Sequence, residues 1–142
     1  MKSVAQLLKF KSGPLFFISP DASVYDCVEM LADKGVGALL VMDGPKLVGI
    51  VSERDYARKV ILVGKSSKTT KVREIMTGDV LCVNPRMTNE ECMALMTAKR
   101  IRHLPVVDGD AVVGVISIGD LVRDIIAEQQ FAIKELERYI HG

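Results

Sequence analysis

Apolar residues recur at steps of three and four positions in two matching stretches of the chain, a spacing typical of amphipathic helices. The first stretch predicts a helix over 24–34, with Ser23 as its N-cap and Gly35 as the left-handed residue that ends it. The second predicts a helix that starts at Thr88 and carries Arg100 at the position of Gly35. Each helix therefore has one face to bury.

Short continuous apolar runs predict the strands. Four runs form two pairs, and each pair is joined by an Asp-Gly dipeptide, which favours a tight hairpin turn. The pairs are 38–42 with 47–51, and 104–107 with 112–116. Shorter runs at 15–18 and 80–83 end at prolines, which remove a backbone donor, and further helices are predicted over 56–62 and from 121 onward.

The same order of elements occurs twice because the chain carries an internal duplication. The segment Gly49-Ile50-Val51-Ser52-Glu53-Arg54-Asp55 is matched 65 residues later by Gly114-Val115-Ile116-Ser117-Ile118-Gly119-Asp120. The offset holds without a gap over roughly forty residues, which chance does not produce. We therefore expect an α/β (α+β) fold of two β-α-β-β-α repeats that pack as a pair, since each repeat is small for an independent core.

The expected domain boundaries follow the repeats. Residues 1–66 hold the first repeat with an N-terminal lead-in helix, and residues 67–127 hold the second repeat with a linker and its own lead-in. Residues 128–142 form a helical tail with apolar positions, which we expect to cover a core or a sister subunit.

Charge and composition exclude several classes of function. Lys and Arg total 19 against 18 Asp and Glu, so a long-range basic field for nucleic acid is absent. The three cysteines lack the close spacing of a zinc or redox motif, and we interpret them as reduced thiols in a fold that requires no metal. Because no apolar run resembles a signal peptide or a membrane span, we expect a cytoplasmic protein.

Two chemical interpretations fit the duplicated Ser-x-x-Asp motif. A Ser followed by an acid three residues later is a helix capping pattern, with Ser52 as N-cap and Asp55 at the third helical position. The same arrangement also offers free amides for phosphate oxygens, and Asp55 or Asp120 can accept hydrogen bonds from the cis hydroxyls of a ribose. Two copies at equivalent strand ends favour the second interpretation without excluding the first.

Together these motifs resemble a tandem pair of cystathionine β-synthase type (CBS) domains. The resemblance covers about residues 4–127 and rests on both strand-Ser-x-x-Asp-helix segments, on Leu104-Pro105-Val106-Val107-Asp108, and on Met76-Thr77 ahead of the second repeat. It implies sheet packing around a pseudo-twofold axis with two nucleotide clefts. It also implies a stand-alone signal-transduction module of bacterial type.

The resemblance carries binding roles to particular positions. Asp55 and Asp120 would hold ribose hydroxyls, while Ser52 and Ser117 would contact ribose or phosphate. Backbone groups would read the adenine edge at Ile18, Ser19, Pro20, Gly37, Ala38 and Leu39 in the first repeat, and at Val83, Asn84, Pro85, His103, Leu104 and Pro105 in the second.

Phosphate requires positive charge, and the two repeats supply it differently. Arg54 lies inside the first motif, whereas Gly119 takes its place in the second, which has the cluster Lys99-Arg100-Ile101-Arg102-His103 instead. A charge run of this kind is also typical of a solvated face. If these cations bind phosphate, the clefts should differ, for example with AMP or ADP in one and a dinucleotide such as NAD in the other.

The expected function is a regulatory module that binds AMP, ADP, ATP or NAD and signals to an unidentified partner protein. The family commonly dimerises, so we expect a homodimer, with no nucleic acid or membrane as partner. A structural scaffold whose Ser-x-x-Asp motifs only cap helices is the main alternative. A nucleotide-processing enzyme is a weaker one, because no nucleophile, Walker or metal motif is recognisable.

Overall fold

The computed structural model describes residues 2–11 and 14–141 and contains the following elements in chain order. They are α1 (Val4–Phe10), β1 (Phe17–Ile18), α2 (Val24–Lys34), β2 (Ala38–Asp43), β3 (Lys46–Ser52), α3 (Glu53–Tyr56) with a π-helical continuation (Ala57–Ile61), α4 (Val72–Ile75), α5 (Asn89–Lys99), β4 (His103–Asp108), β5 (Ala111–Ser117) and α6 (Ile118–His141). The predicted mixed α and β fold is confirmed.

The chain folds into two compact units that do not follow the order of the sequence. We call residues 14–81 the repeat-one unit, and residues 1–13 with 82–142 the repeat-two unit. The expected boundaries keep each lead-in with the repeat that follows it. In the structure, α1 instead belongs to the repeat-two unit and α4 belongs to the repeat-one unit.

The repeat-one unit is built on a three-stranded sheet. Strand β1 runs parallel to β2, and β2 pairs antiparallel with β3 through a turn in which Gly44 has a φ of 59°. Helix α2 begins and ends where the sequence predicts, because the Ser23 side chain accepts from the Asp26 amide and Gly35 is left-handed. The core combines side chains from helices and strands, among them Leu31, Leu39, Val51 and Ile75.

The repeat-two unit repeats this plan with a smaller sheet. Strands β4 and β5 pair antiparallel, and α5 starts after its N-cap Thr88, as predicted. The strand expected over 80–83 is reduced to one parallel bridge between Val83 and Val106. Val83 exchanges both of its backbone bonds with the neighbouring strand, at 2.9 and 2.8 Å, but Pro85 lacks the donor that would extend the pairing.

Each lead-in helix is hydrogen-bonded at its start to the segment that precedes the N-cap of α5 or α2 in its unit. In the repeat-two unit the Val4 amide donates to the Met87 carbonyl at 2.7 Å, and in the repeat-one unit the Val72 amide donates to the Ala22 carbonyl at 2.9 Å. Both valines are fully buried. Helix α1 packs on the second repeat rather than on the first because its apolar stripe is buried there.

Helix α6 has two parts with different surroundings. Near its start, Leu121 and Asp124 are buried, and Asp124 lies within 3.0 Å of the Lys2 ammonium and accepts from the Asn89 amide at 2.8 Å. From residue 129 to residue 141 every residue is exposed. Among the described residues, no helix is both long and apolar enough to cross a membrane.

Candidate functional site

The Ser-x-x-Asp motif of each repeat closes a reciprocal capping box at the end of a strand. In the repeat-one unit the Ser52 amide donates to Asp55 Oδ2 at 2.9 Å, and the Asp55 amide donates to Ser52 Oγ at 3.3 Å. In the repeat-two unit the matching distances are 2.8 and 3.2 Å for Ser117 and Asp120. The predicted capping role is confirmed in both copies.

Capping occupies one oxygen of each carboxylate and leaves the other to different cations. Asp55 Oδ1 lies 3.5 Å from the Lys59 ammonium, which also donates to the Ile75 carbonyl at 2.9 Å. The Asp55 side chain keeps 16% of its surface exposed, so its second oxygen can still accept a hydrogen bond from a ligand hydroxyl.

Asp120 is held more firmly than Asp55. Lys11 donates to its Oδ2 at 2.9 Å and to the Val115 carbonyl at 2.7 Å, while Arg123 donates to its Oδ1 at 2.6 Å. Burial alone raises the pKa of Asp120, but the Ser117 amide and the Lys11 ammonium outweigh burial and hold the pKa below its usual range.

Hairpin register brings one group of predicted site residues together. Ala38 lies opposite Ser52 at the end of β3, and the Gly37 carbonyl accepts from the Glu53 amide at 3.1 Å. In the repeat-two unit His103 lies opposite Ser117, and the Arg102 carbonyl accepts from the Ile118 amide at 2.9 Å. The segments that contain Leu39 and Leu104 therefore lie beside the helix starts, but both leucine side chains are buried in the cores.

A second group of predicted residues lies elsewhere along the sheet. Ile18 pairs with Val41 in parallel register, three residues past Ala38, which corresponds to about 10 Å along the strand. Ser19 and Pro20 continue away from Ser52, and the Pro20 carbonyl accepts from the Arg73 amide at 2.9 Å. The register instead sets Leu15 and Phe16, both half-buried, near the level of the Ser52 motif.

The corresponding residues of the repeat-two unit behave in the same way. Val83 pairs with Val106 rather than with the start of β4, and Asn84 and Pro85 lie beyond it. The Pro85 carbonyl accepts from the Ala5 amide at 2.9 Å, so this segment docks α1. The Pro105 carbonyl accepts from the Val83 amide at 2.9 Å.

His103 is the titratable group that faces the repeat-two motif from β4. Burial lowers its pKa, the Lys11 and Arg102 charges lower it further, and only Asp120 acts in the opposite direction. The imidazole is consequently neutral at physiological pH and offers one donor and one acceptor.

The predicted phosphate cations lie on the surface. Arg54, Lys99, Arg100 and Arg102 are all exposed. Arg100 ends α5 in the left-handed conformation with a φ of 54°, as Gly35 ends α2. The structure adds three cations that the sequence analysis missed: Lys59, Arg123 and Lys11. Helical spacing from the aspartates could have indicated the first two, whereas no local signal indicates Lys11.

All three cysteines have thiols that are less acidic than a free thiol. Burial, with a smaller effect of Asp55, raises the pKa of Cys27 to about 11, and burial also raises the pKa of Cys82 and Cys92. Within residues 2–11 and 14–141, no group of three or more His, Cys, Asp or Glu side chains is arranged to hold a metal ion.

Comparison with known proteins identifies the family. The CBS domain family matches residues 8–62 and 72–127. The mitochondrial CBS domain-containing protein CBSX3 of Arabidopsis thaliana is 40% identical over 139 residues, which cover 94% of this chain and 68% of that protein. A solved structure of a protein with CBS domains from Burkholderia ambifaria MC40-6 is 53% identical, with a TM-score of 0.88 over 90% of this chain and 96% of that one.

A more distant structure shares the fold. The CBS domain pair of protein MJ0100, solved in complex with 5′-methylthioadenosine and S-adenosyl-L-methionine, is 24% identical and has a TM-score of 0.78 over 90% of this chain and 98% of that one. The two family matches coincide with the two copies of the strand-Ser-x-x-Asp-helix segment. This chain belongs to the CBS domain family and contains two CBS repeats.

Proposed function

We propose that this CBS pair is a regulatory module that binds adenosine nucleotides at the helix starts after β3 and β5. The observation that carries the proposal is the partly exposed carboxylate of Asp55, and of Asp120 in the other unit, at equivalent strand ends. The MJ0100 pair, which has the same fold, was solved with two adenosine-containing ligands. A carboxylate at a helix start is suited to a ribose, because it accepts two hydroxyl hydrogen bonds.

In the repeat-one unit, Asp55 Oδ1 is the acceptor for the ribose. Lys59 approaches this oxygen at 3.5 Å, a distance that leaves room for a hydroxyl hydrogen bond in its place. Arg54, exposed on the first turn of α3, then supplies charge for a phosphate. The helix start contributes its partial positive charge to the same phosphate.

In the repeat-two unit, Lys11 and Arg123 both compete with the ribose for Asp120. A ribose hydroxyl that donates to the carboxylate replaces the Arg123 contact with Oδ1 at 2.6 Å or the Lys11 contact with Oδ2 at 2.9 Å, and the released cation is then available to a phosphate. Arg102 and the neutral His103 lie on the same side of the hairpin start. The two sites therefore share ribose recognition and differ in how they bind phosphate.

The output of the module is a change in affinity for a partner protein, and its working form is a homodimer. AMP, ADP, ATP and NAD are the candidate ligands, bound without chemical change. Signalling requires a nucleotide that binds two conformations with unequal affinity.

The scaffold alternative also has a specific observation in its favour. Both aspartates already have a structural role, since each closes a capping box. If capping were their only role, removal of either carboxylate would lower the free energy of unfolding by about 1 kcal/mol and change no ligand affinity.

Calorimetric titration with AMP, ATP and NAD separates the two functions. We expect saturable binding, with the affinity of one site reduced at least about tenfold in Asp55→Asn and that of the other in Asp120→Asn, because asparagine keeps an acceptor for the cap but loses the charge. Ser23→Ala is the matched control, since it removes a helix cap of the same kind on α2 and leaves both motif carboxylates in place. Absence of heat and of a thermal shift with every nucleotide would leave the scaffold function.

A further inference from the structure

Helix α6 exposes a row of apolar side chains along most of its length. Its large side chains show the following exposed fractions: Val122 41%, Ile126 48%, Ile133 54%, Leu136 62% and Ile140 71%. Such a row along a helix is typical of an interaction surface rather than of a solvated face. The stretch 129–141, exposed at every position, is also of a length at which an isolated helix is only marginally stable in water.

The spacing of this row is that of a coiled coil. Ile126, Ile133 and Ile140 recur every seven residues, and Val122, Gln129 and Leu136 form the second position of the same heptad. We call these six residues the α6 seam. Only Gln129 is polar, so five of the six seam positions are apolar.

Charges beside the seam select the orientation of a second helix. The flank next to the second heptad position carries Arg123, Gln130 and Glu137, whereas the other flank carries Ile125, Ala132 and Tyr139. In a parallel pair the charged flank of each helix faces the apolar flank of the other, so neither Arg123 nor Glu137 meets an opposite charge across the pair. In an antiparallel pair like flanks meet, so Arg123 faces Glu137 of the second copy and Gln130 faces itself.

We infer that the α6 seam pairs with the α6 seam of a second copy of this chain as an antiparallel two-helix coiled coil. Val122 packs against Ile140, Ile126 against Leu136, and Gln129 against Ile133 of the second copy. The twofold symmetry of the pair repeats each of these contacts once. The seam from 122 to 140 is about 28 Å long at 1.5 Å per residue. The inference rests on the proposed homodimer but not on nucleotide binding.

The oligomeric state of the full chain tests the surface. Sedimentation across a range of protein concentrations should give a dimer, and Ile133→Lys should raise its dissociation constant by about a hundredfold or more, because the charge is buried in the seam. Phe131→Lys is the matched control, since Phe131 is 67% exposed on the same helix but lies outside the seam, and it should leave the dimer unchanged. A monomeric chain, or a dimer that Ile133→Lys does not weaken, would overturn the inference.

Cysteine trapping tests the orientation. The double variant Ile126→Cys/Leu136→Cys should form an intermolecular disulfide under mild oxidation, and peptide mapping should show that it joins position 126 to position 136, which face each other only in the antiparallel register. Ile133→Cys should not cross-link, since Ile133 faces Gln129 rather than its own copy. Cross-linking of Ile133→Cys, or disulfides that join 126 to 126 and 136 to 136, would show a parallel pair and refute the antiparallel arrangement. The nucleotide titration is independent of either result.

Discussion

Replacing Gly49 with alanine tests how closely the lead-in helices approach the hairpins. A Cβ atom at Gly49 would lie 2.6 Å from Met76 Sδ and 2.9 Å from the Thr77 carbonyl oxygen. At the equivalent Gly114, the closest atoms are two methyl groups of Leu8, at 2.6 and 3.0 Å. Glycine in mid-strand therefore allows the neighbouring segment to come close in both units.

The two glycines differ in what must move. Thr77 exchanges two backbone hydrogen bonds with Ile50, at 3.0 and 2.9 Å, so its carbonyl cannot shift without straining the pair. Overpacking costs about 1–3 kcal/mol, and the lower entropy of unfolded alanine returns about 0.4–1 kcal/mol. We expect Gly49→Ala to lower the free energy of unfolding by about 2 kcal/mol. Gly114→Ala should cost about 1 kcal/mol or less, because the Leu8 side chain can rotate.

Urea denaturation followed by circular dichroism measures these differences. Gly78→Ala is the control, since its Cβ would meet only the Val48 carbonyl oxygen at 3.9 Å, an ordinary contact. Leu8→Ala/Gly114→Ala should be more stable than the sum of its single changes predicts, because the clash is removed. The reasoning is refuted if Gly49→Ala is as stable as Gly78→Ala, or if Gly114→Ala costs more than Gly49→Ala.

Two further predictions concern single side chains. Arg100→Gly should raise the free energy of unfolding by about 0.5–1 kcal/mol, because the φ of 54° favours glycine. Gly35→Arg should lower the free energy of unfolding by a comparable amount. Urea midpoints equal to that of the unchanged protein would contradict both expectations. Burial lowers the pKa of His103 from 6.5, so the unfolded chain binds more protons and stability falls as pH drops below 6.5. His103→Gln should reduce that slope in unfolding measurements between about pH 7.5 and 5.5; an unchanged slope would contradict the assignment.

Local signals explain what could be predicted of the fold. Helix α2 runs from Val24 to Lys34 as expected, because a capping serine and a left-handed glycine mark its ends. The hairpins form where Asp-Gly dipeptides follow apolar runs. Both motif aspartates cap their helices, since that interaction spans only three residues.

Long-range interactions explain what could not be predicted. The exchange of α1 and α4 depends on which sheet each apolar stripe meets, and nothing near Val4 in the sequence specifies Met87 as its partner. The same holds for Lys11, which reaches an aspartate 109 residues away. Ile18–Pro20 lie beyond the motif because the parallel register of β1 is set by tertiary packing and not by the apolar pattern.

The duplication kept the backbone of the two sites and changed their charges. Both repeats retain the capping serine and aspartate, but Arg54 corresponds to Gly119, and Lys59 corresponds to Asp124. Asp124 no longer belongs to a site, since its side chain is 3% exposed and bonded to Asn89. In the repeat-two unit the cations beside the motif aspartate are Lys11 and Arg123 instead.

This division of roles has a consequence for the proposed nucleotide binding. The conserved backbone and carboxylate positions would bind the adenosine part, which all candidate ligands share. The cations, which differ between the repeats, would bind the phosphates, in which the ligands differ. Because Lys11 and Arg123 both contact Asp120 and must release it before a ribose can bind fully, whereas Lys59 contacts Asp55 only loosely, the repeat-two site should bind plain adenosine more weakly and gain more affinity from each added phosphate.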